Sequence, residues 1–132
     1  MALCLLGALF MGMGEALEPL GVTDELNAAQ VKVMFRGGLT GVEEQTKAKL
    51  GDKTMMDALV PAVVAIESCD SEDVKELLKA GAEAALKGAE ATVNMKANFG
   101  RARNLGERSV GFADAGATSW ACLFESFYQG LE

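Results

Sequence analysis

Apolar residues along this chain recur at intervals of three and four, and no segment alternates convincingly in twos, so the pattern predicts helices without a sheet. Residues 2 to 17 are almost wholly apolar and end before Pro19 and Gly21, as a buried first helix would. Thr23 then reads as an N-cap, with Asp24 and Glu25 in a first turn where their charge suits the helix dipole. This second helix carries Leu26, Val31, Met34 and Phe35 and is expected to run through Gly37, Gly38 and Gly41 toward Gln45. Glycines weaken a helix, so their presence implies close packing on a neighbour. A third helix is expected from Thr54 to about Ser68, striped by Met56, Leu59, Val60, Val63 and Val64. Pro61 lies within that stripe and should bend the helix or leave its first turns irregular. The segment DSED opens a fourth helix, roughly Glu72 to Ala97, striped by Val74, Leu77, Leu78, Gly81, Ala85, Gly88, Thr92 and Met95.

Residues 98 to 118 break this pattern: they hold four glycines, three arginines and little apolar periodicity. A loop of ~20 residues is too long for a mere connector and usually serves function. The chain closes with a helix bearing Trp120, Leu123, Phe124, Phe127 and Leu131. The predicted class is all-α: about five helices in an antiparallel bundle or barrel.

Composition narrows the chemistry. At 132 residues the chain is one domain, and 19 acidic against 12 basic residues give a net charge of −7. Such a surface repels phosphate backbones and anionic membranes, so neither nucleic acid nor membrane is an expected partner. The absence of histidine excludes a Ser-His-Asp or Cys-His nucleophile, a histidine-ligated metal and a histidine proton shuttle within this chain. Cys4, Cys69 and Cys122 form no CxxC pair and read as reduced thiols of a cytoplasmic protein. The first segment has no basic start and Glu15 interrupts it, so it is neither a signal peptide nor a membrane span.

Two segments carry candidate chemistry. Gly51-Asp52-Lys53-Thr54-Met55-Met56-Asp57 lies at a helix start, where unpaired N–H groups and Lys53 could hold an anion. On spacing alone simple capping by Asp52 or Thr54 is favoured. Arg101, Arg103 and Arg108 on the glycine-rich loop make a phosphate clamp, or a solvated loop whose arginines pair with Glu107 and Asp114. From the residues the two readings stand about equal. Asp70, Glu72 and Asp73 form a carboxylate cluster better read as a cap and first turn than as a cation site.

Together, GDKTMMDALVPAV and GRARNLGERSVGFADAGATS resemble the nucleotide-binding L subunit, or C-terminal domain, of dihydroxyacetone kinases. The family pattern runs GDKTM-x-D-x-x-x-P and GRASYLGERS-x-G-x-x-DPGA-x-S, and the likeness spans essentially the whole chain. The resemblance implies an antiparallel helical barrel that binds ATP or ADP with Mg²⁺ at one rim. It further implies a K partner holding dihydroxyacetone on a histidine, and in one variant a phosphocarrier of the phosphotransferase system that recharges the ADP. By position, Met55 resembles the residue lying against adenine and Arg101 a phosphate-facing arginine. Asp114, Ala115 and Gly116 stand where the family's DPG segment closes over the nucleotide, and Thr46 where a glycine is expected near the adenine.

Departures shape the expectations. The family's aspartate-rich GDxDxG magnesium loop has no counterpart, and Met1 to Cys4 stand where a GGASGP phosphate loop should come. The chain is therefore expected to be one partial domain, 1–132, the C-terminal portion of an L subunit and an incompetent kinase by itself. The alternative is a catalytically inactive helical module binding a protein or a nucleotide without turnover, and a fatty-acid-kinase-like domain is a lesser one. Missing opening helices would leave the segment from Ala2 to Leu17, and the stripe from Trp120 to Leu131, facing solvent. That exposure predicts a homo-oligomer, most simply a two-fold dimer.

Overall fold

A computed structural model describes residues 2–21, 25–98, 107–108 and 110–131, with side chains from residue 5 onward. Its described residues form five α-helices and no strand: α1 Ala2–Leu17, α2 Ala28–Gln45, α3 Met56–Ser68, α4 Val74–Ala91 and α5 Ala115–Gln129. Short 3₁₀ turns follow α1 at Glu18–Leu20 and α4 at Thr92–Asn94. The all-α class holds, and no described helix is long and apolar enough to cross a membrane.

Helix boundaries depart from the sequence reading where side-chain caps decide them. The second helix starts at Ala28, not beside Thr23, because Asn27 and Gln30 form a reciprocal capping box. The Asn27 side chain accepts the Gln30 amide at 2.9 Å, and the Gln30 side chain accepts the Asn27 amide at 2.9 Å. Thr23 and Asp24 themselves lie outside the described residues. Asp73 caps α4, its carboxylate accepting the Lys75 amide at 3.0 Å, as the capping reading of that acidic cluster expected. The fourth helix ends at Ala91 rather than Ala97, and residues 95–98 leave it without helical structure.

α1 packs on α2 through small residues: Gly12 faces Gly37 so closely that a Cβ on Gly12 would collide with the Gly37 carbonyl. This close approach is the reason for the glycines of α2. α3 and α4 form a second close pair, and α5 packs on both. The helix of α3 runs through Pro61. A proline has no N–H for the carbonyl four residues earlier, and here that is the Asp57 carbonyl. Gly88 of α4 presses against this carbonyl, leaving no room for a side chain there.

Phe35 of α2 meets Phe124 and Phe127 of α5 with ring centroids 5.7 and 5.9 Å away, which joins the two helix groups at the core. Trp120 and Phe124 are buried, so the C-terminal stripe is not the open face that the sequence reading expected. Only its far end, Phe127 and Leu131, borders a cleft of about 420 Å³ that Phe10 and Met13 of α1, Met34 of α2 and Val74 of α4 also line. On α1 itself Leu9 and Met13 are buried, whereas Phe10 and Met11 are exposed.

Candidate functional site

The segment between α2 and α3 is organised by one carboxylate. Asp57, in the first turn of α3, is 1% exposed. Its Oδ1 accepts the Gly51 amide at 2.7 Å and its Oδ2 the Thr54 amide at 3.0 Å, so it folds the GDKT turn back onto the helix start. The Thr54 hydroxyl accepts the Met56 amide at 3.2 Å, which bears out its capping role. Asp52 faces the other way: its carboxylate accepts the Lys49 amide at 2.8 Å and the Asn98 side-chain amide at 3.0 Å. The Asp52 carbonyl also accepts the Asn98 backbone amide at 3.2 Å. The first motif thus grips the start of the glycine/arginine loop.

Lys53 grips both its shoulders. It is 3% exposed and has φ 60°, the left-handed region that non-glycine residues rarely adopt. Its ammonium donates to the Met95 carbonyl at 3.2 Å and to the Phe112 carbonyl. The anion-binding role open to Lys53 at the sequence level is therefore not what the structure gives it: the charge is turned inward onto backbone carbonyls. Two further bonds close the same knot. The Gly111 amide donates to the Val93 carbonyl at 2.7 Å, and the Asp114 amide to the buried Thr92 hydroxyl at 2.8 Å.

These ties bring the second motif's end against the first motif. Asp114 is the N-cap of α5, with its carboxylate accepting the Ala117 amide at 2.8 Å. Ala115 and Gly116 follow as the first helical residues, whose amides have no intrahelical acceptor. A Cβ on Gly116 would stand 3.7 Å from both the Cβ and the N of Met55, which is ordinary contact. Met55 therefore lies directly beside residues 114–116. Met55 is 7% exposed, packed at the start of α3. Thr46 is half-buried at the end of α2, its hydroxyl accepting the Ala48 amide at 3.1 Å, and among the described residues it has no hydrogen bond to that surface.

Arg101 and Arg103 lie outside the described residues. Arg108 is exposed, and Glu107 pairs with Lys96 at 3.5 Å rather than with an arginine among the described residues. Asp114 is engaged as a cap. Sequence reasoning gave no role to Asp57 or to Thr92 here. For Asp57 a signal existed, since an aspartate three residues after a capping threonine can reach back to the turn. For Thr92 none did, because its hydroxyl acts on a residue 22 positions away.

A profile of the DAK2 domain matches residues 4–129. The chain belongs to the DAK2-domain family. This DAK2 domain is 38% identical over 117 residues to the ADP-binding subunit DhaL of the PEP-dependent dihydroxyacetone kinase of Escherichia coli strain K12 (87% of this chain, 54% of that protein). With the DhaL subunit of PEP-dependent dihydroxyacetone kinase 2 of Listeria innocua it shares 39% identity over 129 residues, 97% of this chain and 58% of that protein. A D-erythrulose kinase of Mycolicibacterium smegmatis is 36% identical over 117 residues, 87% of this chain and 20% of that protein. The chain spans a little over half the length of the DhaL relatives. Among the described residues of the DAK2 domain, no group of three or more aspartate, glutamate, cysteine or histidine side chains is placed to hold a metal ion.

Proposed function

We propose that this chain is the nucleotide-binding part of a dihydroxyacetone-kinase-type phosphotransferase, with ADP or ATP at the edge formed by Met55 and Asp114 to Gly116. The observation that carries the reading is how closely the two motifs approach each other. Met55 and Gly116, 61 positions apart and each resembling a nucleotide-binding position, stand close enough that a Cβ on Gly116 would meet Met55 at the start of α5. The chemistry of that edge suits a nucleoside. Met55 backs it with an apolar side chain, and the Ala115 and Gly116 amides can donate. The Asp114 carboxylate accepts from hydroxyl or amino groups and repels phosphate, so the phosphates point away from it. The sequence between the two shoulders carries Arg101, a guanidinium suited to phosphate.

In the complete reaction the phosphoryl group passes to dihydroxyacetone held by a separate K subunit, directly from ATP or through a phosphocarrier-recharged ADP. Phosphoryl transfer depends on positioning and charge neutralisation. This chain supplies positioning without the magnesium loop, so it turns over no substrate alone. Two experiments test the reading. Titration calorimetry with ADP should give weak binding that Mg²⁺ does not strengthen; absence of any heat at millimolar ADP would overturn the nucleotide assignment. A coupled assay with ATP, Mg²⁺, dihydroxyacetone and a K subunit should stay at background, and turnover above it would refute the claim of incompetence. We also propose a two-fold dimer in which α1 of each copy covers the cleft beside Phe10 of the other. Light scattering that gives the monomer mass at micromolar concentration would exclude it.

A further inference from the structure

We propose that Lys53 is a positioning residue for the nucleotide edge: its buried ammonium pins the segment leaving α4 to the segment entering α5, and so sets where the start of α5 meets Met55. This rests on the nucleotide reading above and deepens it by naming what holds that site together.

Three independent observations converge on Lys53. The first is burial. An ammonium that is 3% exposed persists only where its donors are satisfied, and two of its acceptors are the Met95 and Phe112 carbonyls. These acceptors are 17 residues apart in sequence and flank the glycine/arginine loop on its two sides. No apolar or shorter side chain at position 53 can reach both. The second is backbone strain. Lys53 is the one non-glycine residue with positive φ among the described residues, and strain of this kind survives where surrounding contacts over-determine it, often beside ligand sites. The turn is so fixed by Asp57 that the Lys53 side chain leaves it inward, not toward solvent. The third is continuity. Lys53 is two residues from Met55, and Phe112 is two residues from Asp114, so the Lys53–Phe112 bond ties together the two segments that bring Met55 beside Gly116. A lysine suits this role because its ammonium carries three donors on a flexible four-carbon stem and serves carbonyls from separate segments at once.

Neighbouring ties do not replace it. Asn98 holds only the near shoulder through Asp52, and the Gly111 and Asp114 amides reach back only to the turn after α4. Lys53 alone among these joins the turn before α3 to the far shoulder.

The test pairs hydrogen exchange with ADP titration on the full chain, comparing wild type with Lys53→Met, Lys53→Gln and Lys53→Arg. Losing hydrogen bonds to a charged donor should speed exchange of the Met95, Asn98, Gly111 and Asp114 amides by about tenfold or more in Lys53→Met. Exchange in α1 and α2 should stay within about twofold. ADP affinity per folded molecule should fall about tenfold in Lys53→Met and recover in part in Lys53→Arg, which keeps charge and donors. A role in stability alone would speed exchange throughout the chain and leave the affinity of the folded fraction unchanged, which overturns the proposal. Unchanged exchange at those four amides in both Lys53→Met and Lys53→Gln overturns it as well. If Lys53→Met does not fold, Lys53→Gln carries the comparison. Wild type that binds no ADP refutes the nucleotide reading instead; the pinning of the two segments is then decided by exchange alone.

Discussion

Removing the Asp57 carboxylate would strand two amides together, those of Gly51 and Thr54, in a site that is 1% exposed. Each stranded donor costs its desolvation, so Asp57→Ala should destabilise the fold by roughly 2–4 kcal/mol. Asp57→Asn keeps one acceptor and sets an NH₂ against the other amide, and it should lose nearly as much. Denaturant unfolding followed by circular dichroism checks both; a loss below about 1 kcal/mol would show that Asp57 does not organise the turn. The Arg36–Glu67 pair, which joins α2 to α3, behaves differently. The Arg36 guanidinium bonds both Glu67 oxygens, with Nε to Oε2 at 2.8 Å. That hydrogen bonding holds the Glu67 carboxyl below its ordinary pKa, partly opposed by burial. A lowered folded-state pKa means that the stabilisation is present above the unfolded value and disappears as pH falls through the folded one. Both side chains are partly exposed, at 47% and 32%, so the contribution is about 0.5 kcal/mol. The melting temperature of Glu67→Gln should lie slightly below wild type at neutral pH and converge with it in acid. A gap that widens in acid would reverse the sign of this argument.

Among the helices, glycine substitutions separate propensity from packing. Gly7 of α1 has nothing within 4 Å of the place its Cβ would take, so Gly7→Ala should stabilise by about 0.5–1 kcal/mol through propensity alone. Gly88 of α4 has the Asp57 carbonyl in that place, and a methyl group there must push α3 and α4 apart. Gly88→Ala should therefore destabilise by roughly 1–3 kcal/mol despite the better helix former. It should also shift the Asp57 turn, visible as faster amide exchange at Gly51. If both alanines raise the melting temperature, the close α3–α4 approach is not rigid.

The core of the whole molecule turns on the aromatic cluster that joins α2 to α5. Phe124→Ala removes the fully buried member of three rings and should cost about 3–5 kcal/mol in unfolding free energy. Phe10, 48% exposed on α1, should lose less than about 0.5 kcal/mol on change to serine. If the cleft is where two copies meet, Phe10→Ser should lower the mass seen by light scattering while leaving the fold intact. Equal losses at the two positions would mean that α1 is as deeply integrated as α5.

Helix number, helix type and most of the core were legible in the sequence, because helical periodicity is local and needs no partner to be read. The glycines of α2 likewise announced a close neighbour. Helix starts were less legible, since Asn27 outcompetes Thr23 through a reciprocal bond with Gln30 that composition does not rank. The two motifs could be recognised as text, but their meeting could not: Met55 lies beside Gly116, where Lys53 bonds the Phe112 carbonyl and Thr92 the Asp114 amide over long sequence distances. The inward turn of Lys53 was equally hidden, because whether a lysine faces an anion or a carbonyl depends on what folds over it. Local spacing fixes helices; only the closed chain decides which way a charge beside them points.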